Sequence, residues 1–196
     1  MAEFFLELFS EEIPAKLQSN LRKSLLLEFQ KFLKEKSINS KKSFSFSTPN
    51  RLIMVFEGLA KVVKIPSKKI KGPSINSPKE ALEGFLKSNK VEKKNLFKDK
   101  TKKGEFYFYS TKPEIQKTYD LLVDFIPKIL EGHQWKKSMK WGEFDLNWGR
   151  PLKSILSVFD KKIIKFDFHH ISSSNTTYID QDLEKKKKKF YRFQIV

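Results

Sequence analysis

The chain has no cysteine among its 196 residues and only three histidines. Without cysteine there are no disulfides, thiolate zinc sites or cysteine nucleophiles. No apolar run approaches the ~20 residues that a membrane-spanning helix needs. The start, Met1-Ala2-Glu3, lacks the basic region and cleavage site of a signal peptide. The sequence therefore predicts a soluble, cytoplasmic protein without a membrane association.

Motifs for nucleotide binding and hydrolysis are also missing. There is no Gly-x-x-x-x-Gly-Lys, Gly-x-Gly-x-x-Gly or Gly-x-Ser-x-Gly. Lys137-Ser138-Met139-Lys140 superficially resembles the lysine-serine loop of class I tRNA synthetases, but the accompanying His-x-Gly-His is absent. His169 and His170 would point to opposite faces of a strand, which favours a structural role over a metal site. We expect no catalytic residue, metal site or resident cofactor in this chain.

Arginine is scarce, whereas lysine and phenylalanine are abundant: the chain has 36 Lys, 4 Arg and 19 Phe, and its net charge is +17. Such a charge suits a nucleic-acid partner, because bound cations release condensed counterions. The Lys and Phe codons are AT-rich, so drift in an AT-rich genome explains the same skew. Both explanations stay open. The hydrophobic fraction of 39% predicts a folded chain with a core.

The most regular pattern lies near the N-terminus. An apolar run of strand length, residues 4–9, precedes a helix-start signal that ends at Pro14. Apolar residues then recur at spacings of three and four along one stripe of an amphipathic helix: Leu17, Leu21, Leu25, Phe29, Phe32 and Leu33. Alternation predicts a half-buried strand over residues 43–47, and the apolar run 51–56 predicts an interior strand. We expect the helical stripe to pack against the sheet that contains residues 51–56.

The rest of the chain mixes strands and helices. Strands are expected over residues 62–65, 105–110, 144–148, 152–159 and 163–168, the last two joined by a turn at 160–162. Two capping boxes, residues 77–80 and 111–114, each predict a helix start. The first helix would bury Ala81, Leu82, Phe85 and Leu86, and Pro127 should end or kink the second. This irregular order predicts an α+β fold, with mostly antiparallel sheets packed against a few amphipathic helices.

Four short blocks resemble the β subunit of bacterial glycyl-tRNA synthetase. They stand in family-like order and spacing: residues 6–16 (LELFSEEIPAK), residues 48–52 (TPNRL) followed by Gly58-Leu59-Ala60, Lys71-Gly72-Pro73 followed by Ala81 and Gly84-Phe85, and residues 137–142 (KSMKWG) followed by Arg150-Pro151-Leu152. The resemblance covers about residues 3–171. We expect 1–171 to form an N-terminal β-subunit-like region, as one unit or as two subdomains, 1–130 and 131–171.

The resemblance implies a role in a larger ligase. Members of this family form a heterotetramer of two α and two β subunits that attaches glycine to tRNA, and the α subunit carries the class II site for ATP and glycine. The β subunit is needed for activity and supplies most tRNA contacts. We therefore expect this chain to be non-catalytic alone, with an α subunit and tRNA as partners and ATP used only through the α subunit.

The sequence departs from the family in several places. Asn50 stands where the family usually has a basic residue, and after Ile171 the chain lacks the family's Gly-His-Arg-Phe block. Family members continue for several hundred residues beyond the length seen here. Residues 172–196 include a five-lysine block and are expected to be a polar tail, degraded or out of frame, that packs poorly from about residue 181 with a short helix at most. Two alternatives stay open: a stand-alone basic RNA-binding module, and a nonfunctional relic of a synthetase gene.

The tRNA-binding candidates are Arg51, Lys137, Lys140 and Arg150. The planar fork of arginine suits phosphate geometry, which favours Arg150 in a chain so poor in arginine. An arginine before proline can equally pair with a nearby carboxylate. Trp141, with Phe144 and Trp148, could stack on a base, but core packing is the favoured interpretation. We expect neutralising Arg51 and Arg150 to weaken tRNA binding more than neutralising two tail lysines.

Overall fold

The computed structural model describes residues 1–65, 67–101, 104–135, 137–178 and 187–191. In chain order its elements are β1 (Ala2–Ser10), α1 (Ala15–Glu35), β2 (Lys42–Thr48), β3 (Arg51–Leu59), β4 (Val62–Ile65), β5 (Lys69–Ser74), α2 (Lys79–Asn89), a short 3-10 helix (Lys93–Asn95), β6 (Leu96–Thr101), β7 (Gly104–Ser110), β8 (Glu114–Lys117), α3 (Thr118–Gly132), β9 (Leu152–Phe159), β10 (Lys162–Ile163), β11 (Asp167–Phe168), β12 (Ile171–Ser174), β13 (Thr176–Tyr178) and β14 (Lys187–Lys189). The predicted α+β class is confirmed. None of the described helices is long and apolar enough to cross a membrane.

A seven-stranded sheet organises the first of two compact units, which comprises Met1–Val63 and Gln116–Val196. The strand order is β11-β12-β9-β1-β3-β2, and β10 pairs with β9. β12 runs parallel to β9, and the other neighbours are antiparallel. β1 lies at the centre because it is apolar on both faces, as expected of an interior strand.

The apolar stripe of α1 packs on this sheet, as its periodicity predicts. Leu25 and Phe29 are completely buried and Leu21 is 7% exposed. The Phe29 ring lies 5.7 Å from that of Phe4 on β1 and 5.9 Å from that of Phe56 on β3. These aromatic contacts join the helix to two central strands, so they fix which face of the sheet becomes the core.

The predicted turn after β9 is confirmed. Asp160 and Lys161 have φ values of 49° and 66°, and they close a two-residue hairpin between β9 and β10. The following strand is shorter than expected, because the chain leaves the sheet after Ile163 and returns only at β11.

The second capping box, residues 111–114, is wrong. Pro127 was expected to end or kink the helix, and it does not end it. Residues 114–117 form β8, which pairs with β4, and α3 begins at Thr118. Pro127 lies inside α3, which continues to Gly132. Burial of Ile126 and Ile129 on either side of the proline supplies packing energy that outweighs the missing backbone hydrogen bond.

Other local predictions are confirmed in part or need correction. The helix start predicted at residues 77–80 is confirmed, because α2 begins at Lys79; its N-cap, Pro78, makes no side-chain cap, and none of its residues is fully buried. Residues 144–148 do not form a strand; Trp148 makes only an isolated bridge with Met139. β5 and β6 were not predicted, because their lysines mask the alternation of apolar residues.

The second compact unit comprises Lys64–Ile115. It contains α2 and a three-stranded antiparallel sheet in the order β5-β7-β6. These two units do not coincide with subdomains 1–130 and 131–171. The reason is that β9, after residue 130, pairs along its length with β1, so both halves of the proposed division share one sheet.

The described part of the C-terminal region is made of strands. β14 pairs with β13, Thr176 opposite Lys189 and Tyr178 opposite Lys187, so the expected short helix is wrong at residues 187–189. Phe190 is half-buried against an apolar cluster that includes Phe5 and Val55. The remainder of the tail prediction, including Phe193, lies outside the described residues.

Candidate functional site

Three of the four sequence blocks meet where β1 ends. The backbone N–H of Glu11, in the first block, donates to the Pro151 carbonyl of the fourth at 2.9 Å. The N–H of Ile13 donates to the Pro49 carbonyl of the second block at 2.6 Å. The link between β1 and α1 is therefore bonded to two segments that are far apart in sequence. This contact gives the first, second and fourth blocks a shared structural role.

The third block belongs to the second unit and has its own packing reason. An ideal Cβ at Gly72 would lie 3.0 Å from the Phe85 ring and 3.1 Å from the Tyr107 carbonyl oxygen. Glycine at this position therefore lets Phe85 of α2 lie against β5. Gly72 and Phe85 are both residues of the block, so its two parts form one contact.

Arg51 is held within the fold by three groups. Its guanidinium lies 4.5 Å from the centre of the Phe9 ring, and its Nε is 3.5 Å from Glu7 Oε2. It also donates a hydrogen bond to the Tyr178 carbonyl. The Arg51 side chain is only 19% exposed. These contacts give Arg51 a role in the fold that does not require a bound phosphate.

Glu7 is a carboxylate buried in the face of the sheet opposite α1. The Thr177 hydroxyl donates to Glu7 Oε1, and Arg51 approaches the other oxygen. Burial raises the pKa of the Glu7 carboxyl above its usual value of 4.5, while the Thr177 hydrogen bond and the Arg51 charge partly oppose that rise. Glu7, Arg51, Thr177 and Tyr178, the buried polar cluster, thus tie β13 to β1 and β3.

Arg150 binds backbone carbonyls. Its Nε donates to the Glu12 carbonyl at 3.1 Å, and its Nη1 donates to the Gly149 carbonyl at 2.9 Å. The guanidinium has five N–H donors, so these bonds leave part of its fork for another acceptor. Because Arg150 is half-buried beside the first block, it combines a structural contact with a partly open cation.

Lys137 and Lys140 lie on an irregular, exposed segment before β9. Both are exposed, and Lys140 Nζ lies 3.5 Å from Asp145 Oδ1. The Lys140 side chain is 61% exposed and that of Asp145 is 97% exposed, so this ion pair contributes little to stability. Both lysines are accessible to a polyanion, unlike Arg51.

The aromatic residues of the fourth block divide between core and surface. Trp148 is 2% exposed, and its ring lies 4.6 Å from that of Trp135, as the core interpretation predicts. Phe144 is 44% exposed and stacks on His170 at 3.6 Å, with Trp141 6.2 Å from the same imidazole. Trp141 is half-buried against the core cluster that contains Trp148, so Phe144 is the exposed member of the three.

A polar cavity of about 300 Å³ lies beside these elements in the first unit, lined in part by Lys153, Ser154 and His170. Lys153 Nζ is 3.9 Å from Glu11 Oε1, so the cavity has a cation at its rim. The residues that the structure describes contain no group of three His, Asp or Glu side chains placed to hold a metal.

Sequence reasoning missed two features. Glu7 is the one acidic residue within the apolar run of residues 4–9, and an acidic residue inside a buried strand was the available signal that a buried partner exists. In the second unit, alternating Phe106 and Phe108 indicated a strand, but the lysines that lie over their rings come from β5, which the sequence pattern did not reveal.

A family model and the curated relatives that resemble this chain carry the same description. A model of the family described as the glycyl-tRNA synthetase beta subunit matches residues 4–194. The glycine–tRNA ligase beta subunit of Rickettsia canadensis (strain McKiel) is 36% identical over 194 residues, which cover 99% of this chain and 29% of that protein. That of Rickettsia felis is 36% identical over 178 residues, covering 91% of this chain and 27% of that protein. The chain thus spans less than a third of these curated relatives, and the family match extends beyond residue 171 through most of the lysine-rich tail.

Proposed function

Because the chain belongs to the glycyl-tRNA synthetase β-subunit family, we propose that it supports attachment of glycine to tRNA by a separate α subunit. In this proposal the chain forms the N-terminal part of a β subunit and contributes tRNA handling and subunit assembly. ATP is used by the α subunit, in a cytoplasmic complex of two α and two β subunits. The observation that carries the proposal is the 36% identity over 99% of the chain to a protein named as a glycine–tRNA ligase beta subunit.

The geometry of the motif blocks supports a scaffold role. Their backbone and side chains connect the end of β1 to the segments before β3 and β9. The backbone N–H groups of Glu11 and Ile13 and the Nε of Arg150 are used in internal hydrogen bonds. We therefore assign the chemistry to the α subunit and the presentation of RNA-binding surface to this chain.

We assign the tRNA contacts of the first unit to Lys137, Lys140 and Arg150. The two lysines are exposed, and Arg150 keeps donors beyond those that bind the carbonyls of Glu12 and Gly149. For Arg51, the contacts with Glu7 and Tyr178 support a structural role in place of a phosphate contact.

Association with the α subunit is the first test. The purified chain is mixed with the α subunit of the same organism, and the mass of the complex is measured by size-exclusion chromatography with light scattering. ATP-dependent incorporation of radioactive glycine into tRNA is then measured for each protein and for the mixture. We expect a complex to form and the chain alone to give no charging. Charging by the chain alone would refute the assignment of catalysis, and failure to associate would refute the assembly role.

Filter binding of tRNA tests the proposed contacts. Lys137→Gln with Lys140→Gln should weaken binding more than Lys161→Gln with Lys162→Gln, a matched pair of exposed lysines in the first unit. The affinity of each double variant for tRNA should fall steeply as salt is raised from a low to a physiological concentration, because phosphate contacts release counterions. Equal losses for the two pairs would indicate diffuse attraction and contradict the assignment.

A further inference from the structure

In the second unit, α2 packs against β5 on one face of the three-stranded sheet. Phe85 of α2 lies against Gly72, and because side chains alternate along a strand, Lys71 points to the other face. The cross-strand register places Phe108 opposite Lys71 and opposite Phe97. We call this second face the aromatic face; it consists of Lys69, Lys71, Phe97, Asp99, Phe106 and Phe108.

The rings of the aromatic face form a partly open platform. Phe97 and Phe108 stack with their centres 6.1 Å apart and their planes inclined by 23°. Phe108 is 7% exposed, whereas its cross-strand neighbour Phe97 is 40% exposed. An exposed ring held by a buried one is a rigid surface on which another planar group can stack.

Two ammonium groups lie directly over these rings. Lys71 Nζ is 3.4 Å from the centre of the Phe106 ring, and Lys69 Nζ is 4.5 Å from that of Phe108. Lys69 also pairs with Asp99, and its hydrogen bond and then its charge hold the pKa of Asp99 below the usual value of 3.8. Positive charge and aromatic surface are therefore combined within one small area.

The whole unit is strongly cationic. Residues 64–115 contain fourteen lysines and six acidic residues, a formal net charge of +8. A unit of this size and charge favours a polyanionic partner. The exposed phenyl ring also favours a partner with a planar group that can stack on it. A nucleic acid with accessible bases has such a group, and a simple phosphate compound does not.

We propose that the aromatic face binds unpaired nucleotides of single-stranded RNA, with a base stacked on Phe97 and the adjacent phosphates held by Lys69 and Lys71. The proposal deepens the proposed function, on which it rests, by assigning a site for unpaired RNA to the second unit. Stacking needs an accessible base, which a paired helix hides, so single strands are the expected form.

The lysines can change partners when RNA binds. A lysine carries its charge on a flexible four-carbon stem, so the ammonium can leave a ring for a phosphate oxygen while the base takes the ring surface. Asp99 competes with phosphate for Lys69, because both are anionic acceptors. Replacing Asp99 should therefore tighten RNA binding.

Fluorescence anisotropy with two labelled probes tests the stacking contact. One probe is single-stranded oligouridine about 12 nucleotides long, and the other is an abasic ribose-phosphate chain of equal length. Phe97→Ala and Phe97→Leu should each weaken oligouridine binding by about 5- to 150-fold, as loss of one stacked base implies, and leave abasic binding unchanged. The matched control is Phe46→Ala, because Phe46 is also 40% exposed on a strand.

Lysine and aspartate variants test the phosphate contacts. Lys69→Gln with Lys71→Gln should weaken both probes more than Lys93→Gln with Lys94→Gln, a pair of exposed lysines in the same unit. Asp99→Asn should strengthen both. Circular dichroism confirms folding, and Phe97→Leu retains an apolar side chain should Phe97→Ala not fold.

The site assignment is overturned if the folded Phe97 variants bind oligouridine like the wild type, or if they lose both probes equally. Equal effects of the two lysine pairs would also overturn it, because they would indicate diffuse charge. Each of these results concerns the aromatic face alone. Failure of the proposed function appears separately, as lack of association with the α subunit or as charging by the isolated chain.

Discussion

Arg51 Nε lies 3.5 Å from Glu7 Oε2 on adjacent strands of the main sheet, and the two side chains are 19% and 6% exposed. They stand on the face that α1 does not cover, where Thr177 and the Tyr178 carbonyl complete the cluster. The scarce arginine of the second block thus serves the fold, because a carboxylate buried in this sheet requires a charged or hydrogen-bonding partner.

Arg51→Ala is expected to lower the free energy of unfolding by about 3 kcal/mol, because it leaves Glu7 buried without its cation. In a Glu7→Gln background the same change should cost less, since no buried charge remains. Urea unfolding of the four proteins in this double-mutant cycle measures the coupling. Equal costs in both backgrounds would show that the two side chains do not interact.

Glu7 should make stability fall as pH rises. Its folded-state pKa is raised above 4.5, so above that pH the folded protein still holds a proton that the unfolded chain has released. Its stabilising contribution is complete below about pH 4.5 and is lost as pH rises through the folded-state pKa. Urea unfolding of the wild type and Glu7→Gln between about pH 4 and pH 8 isolates this contribution. The unfolding free energy of the wild type minus that of the variant should decline as pH rises and then become constant. A difference that does not change with pH would contradict this prediction.

Leu25→Ala should cost about 2–5 kcal/mol of unfolding free energy, since Leu25 is completely buried on the sheet-facing side of α1. Leu27→Ala is the matched control on the same helix, because Leu27 is 63% exposed. The control should change stability by less than about 0.5 kcal/mol. Thermal or urea unfolding of both variants provides the measurement, and similar costs would argue against the assigned helix face.

Gly149→Ala should destabilise the chain by about 1–3 kcal/mol through overpacking. An ideal Cβ at Gly149 would lie 2.0 Å from the Trp135 ring, so the indole must move. Gly132→Ala is the control, since nothing lies within 4 Å of the Cβ built there. Urea unfolding should show the loss only for Gly149→Ala, and its tryptophan emission should shift as well. An unchanged emission maximum and stability would contradict this packing.

The candidate RNA surface was only partly accessible to sequence reasoning. The sequence predicts Lys137 and Lys140 as tRNA-binding candidates, since both stand in the family-like fourth block, and both side chains are exposed in the structure. The aromatic face was not identified, because Lys69 and Lys71 meet Phe97 and Phe108 only after three strands have paired.

Features that follow from local sequence could be predicted without the structure: the buried stripe of α1, the strand β1, the interior strand β3, and the turn at Asp160 and Lys161. A repeat of 3.6 or 2 residues specifies which side of an element is apolar, whatever it later packs against. Three other features become visible only in the folded chain: β9 lies beside β1, α3 continues past Pro127, and Glu7 accepts a hydrogen bond from Thr177, 170 residues away. These outcomes depend on contacts between distant segments, where burial of apolar surface outweighs local preference.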